Sequence, residues 1–64
     1  MHTVKYVIRR GDEYFGGIKR KWVHWKPDID QAIHYTKKHY AHDAIAKLVK
    51  ITGFEDMTVE EYSE

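Results

Sequence analysis

The sequence contains no cysteine. That single absence removes disulfides, thiolate zinc sites and cysteine nucleophiles together, and a small domain without such staples suits the cytosol. Serine occurs once, as Ser63, beside the C-terminus and with no scaffold for a nucleophile around it. The Gly16-Gly17 pair lacks the Lys-Ser/Thr that would make it a phosphate loop. No run of 18 apolar residues occurs, and Met1–Arg10 lack the apolar core of a signal peptide, so the sequence predicts a soluble cytoplasmic protein without a membrane partner.

What remains is 64 residues, 42% hydrophobic and 33% charged. This is a globular balance, sufficient for one domain over residues 1–64 and too short for two cores. A pocket of the usual size, about 300–1,000 Å³, would compete with that core. The paired acids Asp28/Asp30 and Glu60/Glu61 read as solvated side chains rather than an acid–base couple, so neither enzymatic activity nor a cofactor is expected. The net charge of +1 hides a gradient. Residues 1–26 carry seven Lys/Arg against two acids, whereas residues 53–64 carry five acids and no base.

Alternation of Val4, Tyr6 and Ile8 with Lys5, Val7 and Arg9 predicts a strand over residues 3–9. Arg10-Gly11-Asp12-Glu13 reads as a hairpin turn, which also accounts for the adhesion-like tripeptide Arg10-Gly11-Asp12. Tyr14–Ile18 follows as the second strand, kinked at Gly16-Gly17. Lys19-Arg20-Lys21 is a basic turn, and Trp22–Trp25 a third strand ended by Pro27. Asp28–Gln31 reads as a turn or single helical turn, with Ala32–Tyr35 a further short strand. Thr36 suits an N-cap for a helix ending near Thr52, because Tyr40, Ala41, Ala44, Ile45, Leu48 and Val49 recur at helical spacing and Gly53 follows. Met57–Tyr62 alternates as a last edge strand. The predicted fold class is α+β, a small twisted antiparallel sheet of three or four strands with one α-helix on one face, in the order β-β-β-α-β. The opposite face is expected to be uncovered, presenting Lys5, Arg9, Phe15 and Lys19.

His24, His34, His39 and His42 invite a metal reading, yet no carboxylate or cysteine joins them in a ligand pattern, so surface histidines explain them better and no metal site is expected. Trp22 and Trp25 lie three apart, so in a strand only one can enter the core. The most informative constellation interleaves Lys19, Arg20, Lys21 and Lys26 with Trp22 and Trp25, joined in space by Lys5 and Arg9. Cations favour phosphates and aromatic rings stack on bases; the small net charge nevertheless favours a merely solvated turn, with Glu60 and Glu61 offsetting Lys5 and Arg9 across strands.

Lys5-Tyr6-Val7-Ile8, Tyr14-Phe15-Gly16-Gly17, Trp25, Asp28–Thr36 and Ala44–Val49 together resemble small uncharacterised proteins of bacteriophages and prophages of Gram-positive bacteria. The resemblance implies a phage accessory protein in the host cytoplasm, without an assigned activity. The β-β-β-α layout is also similar to the arm-type DNA-binding domain of phage integrases, from which the acidic stretch Glu55–Glu64 departs. Two expectations follow: a non-enzymatic accessory module binding a host or phage protein, or a duplex-DNA binder using the basic sheet face. Position of the acidic strand relative to Lys5, Arg9 and Lys19–Lys21 distinguishes them.

Overall fold

A computed structural model describes residues 4–63, so Thr3, the expected start of the first strand, lies outside them. The strands are β1 (Val4–Arg10), β2 (Glu13–Lys19), β3 (Trp22–Lys26) and β4 (Thr58–Ser63). A 3-10 turn at Ile29–Gln31 and the helix α1 (Lys38–Thr52) stand between β3 and β4. The four strands form an antiparallel sheet ordered β3-β2-β1-β4, confirming a small α+β fold.

Alternation decides the inner face of the sheet. Tyr6 and Ile8 of β1, Phe15 of β2, Val23 and Trp25 of β3 and Val59 of β4 pack with Ala41, Ala44, Ile45, Leu48 and Val49 of α1 and with Met57. Val4 stays partly exposed and outside that cluster. Gly53 ends α1 at φ 77°, and its N–H donates to Val49 O at 2.8 Å, as a left-handed C-terminal cap requires. The helix start departs from expectation. Thr36 is one residue too early, and Lys37 occupies the N-cap position in extended backbone with no side-chain hydrogen bond.

The largest departure concerns residues 32–35. They do not form a strand of their own; instead they wedge into the β1–β2 hairpin. Tyr6 N–H donates to Tyr35 O at 2.8 Å and Tyr35 N–H to Tyr6 O at 2.7 Å, while Ile33 N–H donates to Phe15 O at 3.0 Å. Direct β1–β2 pairing is thereby confined to Arg9–Tyr14 and Arg10–Glu13. A bulge between Phe15 and Gly17 turns β2 away, as the Gly16-Gly17 pair foreshadowed.

The outer face is also not uniformly bare. Val7 is fully buried and Ala32 nearly so, outside the inner cluster. The incoming segment holds the β1–β4 half: His34 stacks on Tyr62 at 4.8 Å, and the Tyr62 hydroxyl donates to Asp30 at 2.6 Å. Phe15, expected on this face, is instead in the core. Register explains the difference, because Tyr14 is the residue opposite Arg9 and a one-residue change moves every side chain to the other face.

Leu48 is almost completely buried at the centre of the inner cluster. Leu48→Ala is therefore expected to cost about 2–5 kcal/mol, comparable to the whole stability of an unstapled domain of this size. Thermal melting followed by circular dichroism checks it, and an unchanged melting temperature would refute this helix face. Burial pushes the Tyr35 phenol above its ordinary value of 10.0. Folding thus favours its neutral form; that stability is intact below pH 10 and is lost as pH rises through the folded-state value. Tyr35→Phe is expected to flatten the alkaline fall of stability in urea titrations above about pH 10.

Candidate functional site

Because α1 rests chiefly on β1 and β4, the β2–β3 hairpin projects beyond it. On the inner side this leaves an apolar groove of about 480 Å³ between β2 and the flank of α1. Phe15, Ile18, Ile33, Tyr40, Ala44 and Leu48 furnish its walls, with Lys47 and Asp43 on the rim. Ile18 is 50% exposed and Tyr40 47%, so the apolar helical stripe read from the sequence is only partly used internally. A second hollow of about 290 Å³ continues along the same helix past Ile51, which is 54% exposed, toward Val23, Trp25 and Phe54.

On the outer side, Lys19, His24 and Lys26 surround a concavity of about 400 Å³ floored by Gly16 and Gly17. Trp22 pairs with Lys19 in register and is 74% exposed. Trp25 faces the other way, half-buried with its ring edge on Phe15 at 6.2 Å. Arg10 lies over the Phe54 ring at 3.7 Å and within 5.8 Å of the Trp25 ring, held by Asp56 at 3.0 Å.

The seven residues singled out from the sequence are therefore not one site. Lys5 and Arg9 belong to β1, where Lys5 lies opposite Tyr62 and Arg9 pairs with Glu60 at 3.2 Å. Lys19, Arg20, Lys21 and Trp22 gather at the far hairpin, and Trp25 is part of the inner packing. The acidic strand is adjacent to the first pair and at the opposite sheet edge from the hairpin, so both sides of the expected discriminator hold in different halves of the molecule. Ile18, Ile51 and the groove went unnoticed in the sequence; the apolar helical positions beyond the core stripe were the available signal.

The histidines sit apart: His24 on β3, His39 and His42 on α1, and His34 donating through Nε2 to Ile29 O at 3.0 Å. Among the described residues no three His, Cys, Asp or Glu side chains come together in a metal-holding group, and no helix is long and apolar enough to cross a membrane. Comparison with protein-family models, curated proteins and solved structures returned no match.

The two tryptophans should differ sharply in their effect on stability. Trp25→Ala is expected to cost about 2 kcal/mol or more, whereas Trp22→Ala should stay within about 0.5 kcal/mol. Urea denaturation of the two variants measures this; the reverse ranking would contradict their assignment to opposite sides.

Proposed function

We propose that this chain is a non-enzymatic binding module whose groove between α1 and β2 receives a segment of a protein partner. The observation that carries the reading is the half-covered inner face. A domain of this size has little apolar surface to spare, yet Ile18 and Tyr40 are left exposed at one hollow and Ile51 at the next along α1. Asp43 and Lys47 together rim the first hollow and Lys21 the second, so the complementary partner presents apolar anchors at helical spacing with an acid toward Lys21. The resemblance to phage and prophage proteins supports, within this proposal, an accessory factor acting on a host or phage protein in the bacterial cytoplasm.

A photo-crosslinking amino acid placed at position 18 tests this directly in bacterial lysate. A discrete protein adduct is expected from position 18, abolished by Ile51→Asp and missing when the crosslinker replaces His42, which is exposed on α1. Equal adducts from positions 18 and 42, or none from position 18, would overturn the groove as the binding surface.

A further inference from the structure

The opposite side of the same hairpin carries a separate feature. The turn joining β2 to β3 consists of two residues, Arg20 and Lys21, with φ of 53° and 70°. Both lie in the left-handed region that a tight hairpin of this type demands and that Asn-Gly satisfies without strain. Two long cations therefore occupy a turn where their backbones are strained. Neither they nor Lys19 nor Lys26 has an ion-pair partner among the described residues. Two acids of the C-terminal stretch are committed elsewhere, Glu60 to Arg9 and Asp56 to Arg10.

The adjoining surface has the shape to use those charges. Gly16 leaves room for the Lys26 stem: a Cβ there would stand 2.6 Å from Lys26 Cγ. Gly16 and Gly17 thus give a flat floor between Lys19, His24 and Lys26. Along β3, Trp22, His24 and Lys26 fall on one side at intervals of about 7 Å, with Trp22 at the hairpin end. An exposed indole, an imidazole and a row of unpaired cations on a flat sheet face match bases available for stacking and a backbone carrying regular negative charge. A duplex hides its base faces, leaving the exposed indole without a stacking partner.

We propose that the outer face of the β2–β3 hairpin, with Lys19, Arg20, Lys21 and Lys26 on the phosphates and Trp22 stacked on a base, binds single-stranded nucleic acid. The surface lies chiefly on the other side of the sheet from the groove and borders it at Ile18, Lys21 and Trp22.

Fluorescence anisotropy with short labelled oligo(dT), oligo(rU) and a matched duplex at low salt tests the proposal. Either single strand should bind more tightly than the duplex, with a log–log salt slope near about −2.8 for four phosphate contacts. Substituting Arg20→Asn together with Lys21→Gly should raise the melting temperature by relieving the turn, yet reduce the slope to about −1.4. Trp22→Ala should weaken single-strand binding by about fivefold or more, with Trp22→Phe restoring most of it. Tyr40→Asp, in the groove on α1 and away from the outer concavity, should leave it unchanged, which separates this surface from the protein-binding one. Absence of binding at high micromolar protein, duplex binding as tight as single-strand binding, or indifference to the turn substitution would each overturn the proposal.

Discussion

Three backbone hydrogen bonds made by Ile33 and Tyr35 organise the molecule. A hairpin that splays after two residue pairs exposes the N–H and C=O groups of both strands, and buried groups of that kind must find partners. Tyr6 satisfies both of its groups on Tyr35, and Phe15 O accepts from Ile33 N–H. With those bonds made, the sheet can diverge without orphaned polar groups, and β2 is free to bend at the Gly16 bulge. Everything on the two faces follows from that divergence. The helix closes over β1 and β4, the 3-10 segment lies against β2 and reaches β4 through the Asp30–Tyr62 hydrogen bond, and the β2–β3 hairpin extends beyond the helix.

Charge follows the same division. The acids of the C-terminal stretch are drawn to β1, where Arg9 meets Glu60 and Arg10 meets Asp56. These pairs are solvent-accessible, and each contributes only about 0–1 kcal/mol. Their larger effect is on the field: one sheet edge is neutralised while Lys19, Arg20, Lys21 and Lys26 keep the opposite edge positive. Net charge near zero is thus compatible with a strongly polarised surface. Arg10 also closes the inner core, since its guanidinium covers Phe54 and approaches Trp25, which is why a residue read as part of a turn helps fix the end of β3.

Elements whose signal is local were legible in the sequence. The α1 stripe from Ala41 to Val49, Gly53 as terminator, the tight turn at Gly11-Asp12, the Gly16-Gly17 kink and the edge position of the last strand all rest on spacing within a few residues. What escaped depends on pairing between distant segments. The alternation of Ala32–Tyr35 reads as a strand, but its partner Tyr6 is far away in sequence and supplies a single bridge. Phe15 was expected on the open face because the hairpin register is undetermined by alternation alone, and a shift of one residue reverses every side chain. The cations were visible; that Arg9 is neutralised and Lys19 is not could be decided only by which edge β4 joins. Nor could the sequence show that Arg20 and Lys21 adopt left-handed backbone, since neither residue type favours it.

Departures from local rules are unevenly spread over this fold. The β1–β4 half is consistent at every level: alternating strands, a buried Ile8–Leu48 centre, satisfied backbone and paired charges. The β2–β3 hairpin departs repeatedly, with two glycines inside a strand, two strained cations in its turn, an exposed tryptophan at its tip and apolar side chains left beside the helix. The strained turn lowers the stability of the isolated chain and the exposed Trp22 adds little to it, whereas Gly16 and Gly17 are held in place by the Lys26 stem and by a φ of 122°. A sequence shaped for folding alone would not concentrate such features in one hairpin, because consistency between levels is what specifies a unique fold and its breaches gather where function requires them. On the proposed reading the β1–β4 half acts as the scaffold, and the hairpin, which the Tyr6–Tyr35 bridge separates from β1, is the part that meets other molecules.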